Sequence, residues 1–175
     1  MRVLSNVYKR SRRQNNLITP QAFETVFAKA GDLENTVKTA LLRIYAIILQ
    51  SAYTLSQEDE YKDVIDPYYS LVGYFNSIRE LGGAVRLLQD DIPKRIKRIK
   101  NKYGLDKQRF LNRNVEITSR MSSYQIPEKL KQLETTCDSK DCLDTAVATN
   151  MIAVGMDVDR LGLMVVTGQP KQNSE

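Results

Sequence analysis

Hydroxyl, amide and guanidinium side chains follow three apolar runs of the sequence, at the points where those runs end. In chain order they are Asn76, Ser77 and Arg79, then Ser119, Arg120 and Ser122, and finally Thr149 and Asn150. Such groups donate hydrogen bonds to oxyanions, and arginine forms particularly strong ones with phosphate. The clusters contain no catalytic histidine, cysteine or carboxylate pair. They therefore predict a surface that binds oxyanions, rather than a nucleophilic or metal-hydrolase site.

The apolar runs before these clusters predict buried β-strands. The runs cover residues 70–75, 115–119 and 143–148, and a fourth follows at 163–167. Between the runs, the spacing of apolar residues predicts helices. One helix begins after Ser77, which has Glu80 three residues later as in a capping box, and another covers residues 126–133. This alternation predicts an α/β domain with a mainly parallel sheet, in which ligands gather at the carboxyl ends of the strands.

The hydroxyl groups at residues 119–123 have an alternative explanation. Serine also favours the position just before a helix, where its oxygen accepts a hydrogen bond from a free backbone N–H group. An ordinary capping turn before the helix at 126–133 would therefore place the same residues there. The sequence leaves both interpretations open.

Two further features lie between the first and second clusters. The Gly82-Gly83 pair weakens its helix by roughly 1 kcal/mol per glycine, which predicts close packing against a neighbouring element. Asp90-Asp91, followed by Pro93, predicts the start of a second helix, whose apolar stripe is narrow and whose other faces are Lys or Arg. That helix either faces phosphates or is a solvated helix whose lysines snorkel over the edge of the core. Both interpretations remain open.

The first third of the chain predicts a basic tail and helices. Residues 1–18 are basic and polar without periodicity, and a short helix with Thr19 as its N-cap follows. Apolar residues then recur along one broad face of a longer helix at 33–52. Asp66-Pro67 predicts a turn, because proline disfavours a helical conformation in the residue before it. The expected organisation is a tail and helical appendage at 1–66 and an α/β domain at 67–175.

Composition limits the class of protein. The 175 residues carry a net charge of +5, concentrated in basic blocks at 2–13 and 94–109. The apolar runs are too short to cross a bilayer and the first residues lack a secretory signal, so a cytoplasmic protein without membrane contact is expected. Because the chain has no histidine, Cys137 and Cys142 cannot complete an ordinary Cys/His zinc site. They are expected to be reduced thiols.

Residues 70–170 resemble a known family through two motifs in order. The first is SLVGYFNSIRELGG, a strand followed by a helix start with serine and arginine. The second is AVATNMIAVGMDVDRL, in which Ala148, Thr149, Gly155 and Asp157 fit the pattern A-T-x-x-x-x-x-G-x-D. In this order they resemble the second RecA-like motor domain of superfamily 2 helicases, and in detail the helicase component of DISARM-type anti-phage systems. The resemblance implies a RecA-like three-layer sandwich.

The resemblance also implies roles for individual residues. Thr149 would hold a phosphate of the nucleic-acid strand together with backbone N–H groups at a helix start. Further contacts to the nucleic-acid backbone would come from Ser77, Arg79, Ser119, Arg120, Ser122 and Asn150. Gly155 would allow close backbone approach at an interdomain cleft, and Asp157 would accept a hydrogen bond from an ATP ribose hydroxyl. The partner would be DNA or RNA, with DNA favoured.

Other features of the family are missing from the sequence. It contains neither a GxxxxGK[ST] loop nor a magnesium-holding acidic motif, and no arginine motif follows Pro170. We therefore expect a fragment of a larger enzyme, whose first RecA-like domain would complete the ATP and magnesium site. The fragment alone would bind neither and would not hydrolyse ATP. Alternatives are a helicase-like scaffold that docks a partner through the helix at 33–52, and a plain nucleotide-binding domain.

Overall fold

The described residues form one sheet of four parallel strands. The computed structural model describes residues 37–118, 120–122, 124–149, 158 and 160–167. The strands are β1 (Leu71–Phe75), β2 (Asn114–Ile117), β3 (Thr145–Ala148) and β4 (Met164–Thr167). Their order in the sheet is β2-β3-β1-β4, and every neighbouring pair is parallel. The predicted parallel sheet is thereby confirmed.

Five α-helices accompany these strands in the described part of the chain. They are α1 (Val37–Ser56), α2 (Lys62–Tyr69), α3 (Ile78–Arg86), α4 (Ile92–Tyr103) and α5 (Gln125–Leu133). A 3-10 turn, Asp59–Tyr61, precedes α2, and a π turn, Leu87–Asp91, joins α3 to α4. Each predicted strand, and each predicted helix that falls within the described residues, is present, with ends that shift by a few residues.

Helices cover both faces of the sheet. Alternate side chains of a strand point to opposite faces, and in β1 Leu71 and Phe75 belong to one buried cluster while Val72 belongs to another. The first cluster also contains side chains of α1, α3 and α4. The second contains Leu133 at the end of α5. The result is a three-layer α/β/α arrangement, which confirms the predicted α/β, RecA-like fold class.

Helix α1 is part of this core. Tyr45, Ala46 and Leu49 are fully buried in the same cluster as Leu71 of β1. A scaffold that docks a partner through this helix would need to offer the partner its apolar face. The protein's own sheet already occupies that face. The division at residue 66 stays a prediction, since residues 1–36 lie outside the described part of the chain.

Proline 67 lies inside a helix, so the turn predicted at Asp66-Pro67 is wrong. Helix α2 continues through it to Tyr69. Tertiary contacts hold this helix on both sides of the proline: the Asp66 carboxylate accepts hydrogen bonds from Arg160 at 2.8 and 2.9 Å, and the Gly162 amide donates to the Pro67 carbonyl at 2.7 Å. These contacts outweigh the local preference of the residue before proline.

The helix predicted to start at Asp90-Asp91 is present as α4, which begins at Ile92 after Asp91, but it continues a helical run from α3. Ser77 caps α3 as predicted, since its hydroxyl accepts a hydrogen bond from the Glu80 amide at 3.2 Å. The run then passes through the π turn into α4, where the Ile92 amide donates to the carbonyl of Leu87. The wider π turn lies just before Pro93, whose ring would clash with a carbonyl in a regular α-helix.

The glycines that were predicted to pack closely are not the crowded ones in the structure. A Cβ atom at Gly82 or Gly83 would meet nothing within 4 Å, so the predicted close packing at this pair is wrong. Space is shortest at Gly73, in the middle of β1, among the described glycines. A Cβ atom there would overlap the hydroxyl oxygen of Tyr45 and lie 3.2 Å from Cε2 of Phe75. That hydroxyl is buried and has no hydrogen-bond partner within the part of the chain that the structure describes, and burial raises the pKa of Tyr45 well above its ordinary value.

Gly73→Ala is expected to lower the free energy of unfolding by about 1–3 kcal/mol, the usual cost of overpacking a core. Tyr45→Phe removes a buried hydroxyl that no described residue hydrogen-bonds, so we expect it to be neutral or to raise stability by about 1 kcal/mol. In the Tyr45→Phe background the cost of Gly73→Ala should shrink. Urea unfolding of the four variants in a double-mutant cycle measures this coupling.

The control substitution is Gly82→Ala, which should stabilise the chain by roughly 0.5–1 kcal/mol because its site is helical and open. Equal costs of Gly73→Ala with and without the Tyr45 hydroxyl would contradict the proposed steric contact.

Candidate functional site

The carboxyl ends of β1, β2 and β3 lie side by side at one edge of the sheet. Ala148 of β3 is level with Tyr74 of β1 and with Ile117 of β2. Strand β3 runs between the other two. The segments that follow these strands therefore emerge together, with Thr149 in the middle. The structure thus brings the described members of the three predicted clusters to a single edge, which we call the carboxyl edge.

Ser77 and Arg79 lie at the start of α3 on this edge. Both side chains are exposed. The Ser77 hydroxyl caps the helix through the Glu80 amide. Arg79 lies in the first helical turn, where the helix dipole favours negative charge and disfavours a cation. An exposed guanidinium in this position is better placed to meet a bound anion than to stabilise its own helix.

Arg120 and Ser122 follow β2, and the structure separates their roles. The Ser122 hydroxyl donates to Oε1 of Gln125 at 2.7 Å, and the Gln125 amide donates to the Ser122 carbonyl at 2.9 Å. These bonds close the turn before α5, so Ser122 serves that turn, although the N-cap residue of the helix is Tyr124 and makes no side-chain cap bond. Arg120 is exposed and keeps its guanidinium available to a ligand. Ser119 lies outside the described residues.

Thr149 continues the β2–β3 ladder beyond the end of β3. Its amide donates to the carbonyl of Ile117 at 3.4 Å, and the residue is 6% exposed. It lies at the centre of the carboxyl edge but beneath its surface. Asn150, Gly155 and Asp157 lie outside the described residues, so their assigned roles stay predictions.

Two threonines at this edge were missed by the sequence analysis. Thr118 follows β2 and is buried, and Thr167 ends β4 next to Phe75. The hydroxyl oxygen of Thr167 is buried and has no hydrogen-bond partner among the described residues. A threonine thus follows the apolar residues of three of the four strands, as IT, AT and VT. That repetition was the available signal, and it was overlooked because each threonine alone suits a strand.

The opposite edge, at the amino ends of the strands, is held by a buried ion pair. Arg109 is fully buried, and its Nη2 and Nε atoms donate to Oδ1 of Asp144 at 2.9 and 3.2 Å. Its Nη1 donates to the carbonyls of Leu49 and Tyr69, and its guanidinium lies 4.0 Å from the Tyr69 ring centroid. Arg109, the last residue of the basic block at 94–109, is therefore buried and does not add to the exposed charge of that block.

Both carboxylate oxygens of Asp144 also have hydrogen-bond partners. Its second oxygen, Oδ2, accepts hydrogen bonds from the amides of Asn112 and Arg113 at 3.0 and 3.1 Å. Because every polar atom of the pair has a partner within the protein, the pair has little capacity left for a ligand. Its role is to fix the loop before β2 against the start of β3.

A second arginine network stabilises the same amino edge. Besides its two bonds to the Asp66 carboxylate, Arg160 donates from Nη1 to the Ser70 hydroxyl and the Leu133 carbonyl. Burial raises the pKa of Asp66, but hydrogen bonds from Arg160 and from the Cys137 amide outweigh burial and hold that pKa below its ordinary value. Burial and the nearby Asp66 raise the pKa of the Cys137 thiol to about 12. Cys137 and Cys142 are both free thiols, as predicted.

Comparison with known proteins adds one relative. No family model matches the chain. The chain is similar to a DISARM protein. It is 60% identical over 141 residues to the DISARM protein DrmA of Bacillus paralicheniformis, and the aligned residues make up 81% of this chain and 12% of that protein. The chain therefore spans about an eighth of the relative it matches. The resemblance to a DISARM protein that the motifs suggested is confirmed as a sequence similarity over the aligned residues.

Residues 37–118 and the shorter described segments that follow contain no group of three or more Cys, Asp or Glu side chains that could hold a metal ion. None of their helices is both long and apolar enough to span a membrane.

Arg109→Ala is expected to lower the free energy of unfolding by about 3–5 kcal/mol, because it leaves the Asp144 carboxylate buried without its cation. Arg113→Ala is the matched control. Arg113 pairs with Asp141 at 3.7 Å on the surface, and such exposed pairs contribute about 0–1 kcal/mol. Chemical denaturation of both variants measures the difference. Similar costs would show that the buried pair does not carry the stability assigned to it.

Asp66→Asn tests the second network through pH. Because the pKa of Asp66 is lower in the folded chain, its contribution to stability is fully present above the unfolded value, about 3.9, and is lost as the pH falls through the folded value. The variant should therefore melt at a lower temperature than wild type at pH 7. The difference in melting temperature between wild type and variant, which we call the gap, should narrow below about pH 4. A gap that stays constant from neutral to acid pH would rule out a charged Asp66 as the cause.

Proposed function

We propose that this chain forms part of the second motor domain of an ATP-dependent helicase or translocase that acts in DISARM-type anti-phage defence. The observation that supports it best is the gathering of exposed Arg79 and Arg120, with Ser77 and central Thr149, at the carboxyl ends of adjacent parallel strands. Ligands of open parallel sheets bind at this edge. The relationship to a DISARM protein supports the biological setting.

The chemistry of the carboxyl edge favours phosphate over nucleobases. Arginine side chains, hydroxyls and the free N–H groups of a helix start all suit an oxyanion. Contacts of this kind position a protein on a strand without reading its sequence. A motor that steps along any sequence needs contacts of that type. In this proposal Arg79 and Arg120 hold the backbone of the strand, and the Thr149 hydroxyl holds one of its phosphates.

ATP enters the proposal through the predicted roles of Gly155 and Asp157. In the proposed enzyme a first RecA-like domain holds the phosphates and the magnesium ion, while Asp157 accepts a hydrogen bond from the ribose. The segment from Thr149 to Asp157 then connects the nucleic-acid contact to the nucleotide. This short connection would couple ATP hydrolysis to movement along the strand.

The proposal is tested with the product of the complete reading frame, by its ATPase rate as a function of single-stranded DNA concentration. Arg79→Gln with Arg120→Gln should raise the half-saturating DNA concentration by at least about tenfold, since each lost charged hydrogen bond costs about 1.5–3 kcal/mol. The control, Lys131→Gln with Lys140→Gln, removes the same charge from exposed positions elsewhere and should leave the curve unchanged. An ATPase rate that never responds to DNA or RNA would refute the proposal.

The role of the Thr149 hydroxyl is tested with two variants that distinguish the hydroxyl from the buried volume of the side chain. Thr149→Val preserves the buried volume and removes the hydroxyl, whereas Thr149→Ser keeps the hydroxyl. We expect Val to reduce the DNA-stimulated rate and Ser to retain most of it. An unchanged stimulation of the ATPase rate by DNA in Thr149→Val would refute the role given to the hydroxyl.

A further inference from the structure

Helix α4 presents a strip of positive charge to solvent. Lys94, Lys97, Arg98 and Lys102 are exposed and follow each other at helical spacings of three and four residues, which places them on one side of the helix. We call these four residues the basic face of α4. Ile92 and Ile96, on the opposite side, are fully buried in the core shared with α1 and β1.

No carboxylate neutralises this strip within the part of the chain that the structure describes. None of the four cations forms an ion pair there. Asp90 and Asp91, the acids nearest in sequence, are exposed in the π turn and do not pair with them. Helix α1, which shares the core with α4, contains no Asp or Glu. Like charges four residues apart repel each other, so the basic face lowers stability unless a partner supplies negative charge.

The buried isoleucines decide which kind of partner fits. A helix that lies on a membrane inserts its apolar face between the lipids, but the apolar face of α4 is already occupied by the protein core. The cations instead extend over about 12 Å, from the rise of 1.5 Å for each of eight residues. An array of that length suits the regularly spaced phosphates of a nucleic acid, which are attracted by charge alone.

We infer that the basic face of α4 is a second, sequence-independent contact for the phosphate backbone of DNA, separate from the carboxyl edge. Lys94 lies roughly 20 Å along the helical run from the start of α3, where Ser77 and Arg79 are located. This inference rests on the proposed function for the identity of the polyanion. It adds a contact that lengthens the path of the nucleic acid over the protein.

The experiment removes three lysines of the basic face together. Lys94→Gln, Lys97→Gln and Lys102→Gln are combined in one variant of the complete reading frame product. The control combines Lys62→Gln, Lys131→Gln and Lys140→Gln, which are also exposed and change the net charge equally. Binding of fluorescently labelled duplex DNA is measured by anisotropy from about 50 to 200 mM salt. ATPase stimulation by DNA is measured on the same proteins, and circular dichroism checks their folding.

The slope of log affinity against log salt should become shallower by about 2–3 in the basic-face variant, because each lost phosphate contact reduces it by about 0.9. The control should keep the wild-type slope. An unchanged slope in the basic-face variant, or an equal change in the control, would overturn the inference. Binding to phosphatidylserine vesicles that depends on the three lysines while DNA binding does not would overturn it in favour of a membrane.

The same data separate this inference from the proposed function. A shallower slope in a protein whose ATPase never responds to DNA supports the basic face and refutes the motor. A DNA-stimulated ATPase with an unchanged slope supports the motor and refutes the basic face.

Discussion

The buried ion pair between Arg109 and Asp144 fixes three distant segments of the chain at the amino edge of the sheet. Arg109 contacts α1 through the Leu49 carbonyl and the end of α2 through Tyr69. Asp144 holds the two amides that lead into β2, and its own amide donates to the Arg113 carbonyl at 2.8 Å. A shift of any of these segments would leave a charge buried without its partner, which is costly. The positions of β2 and β3 therefore depend on this pair.

This arrangement divides the sheet into two edges with different chemistry. At the amino edge, the arginine and aspartate side chains form their hydrogen bonds within the protein. At the carboxyl edge, Arg79 and Arg120 are exposed, and their guanidinium N–H groups are available to a ligand. Binding needs donors that are not yet used, held on strands that do not move. The fully paired edge provides the rigidity and the opposite edge provides the donors.

Local patterns predicted the elements, and distant contacts explain the errors. Ser77 with Glu80 predicted a cap that depends on residues three apart, and apolar runs were sufficient to find the strands. The same reasoning failed at Pro67, because the contacts that hold α2 come from Arg160 and Gly162, more than ninety residues away. It also gave no sign that Arg109 is buried, since nothing near it in sequence shows that Asp144 lies beside it. At the site, residue types identified the edge. Ser122 was assigned to a ligand, although its hydroxyl already donates a hydrogen bond to the Gln125 side chain.

The π turn at Leu87–Asp91 determines which way the lysines of α4 point. In a regular α-helix, residues spaced by four advance around the axis by about 40° at each step, so Leu88, Ile92 and Ile96 would drift away from the core. The wider turn cancels most of that drift and keeps all three buried. The run thus carries one residue more than a regular helix needs to stay in phase. If the turn became regular α-helix without losing that residue, α4 would rotate by about 100° relative to the core, which would turn its isoleucines partly towards solvent. The charge pattern of this helix is set by a residue count as much as by its lysines.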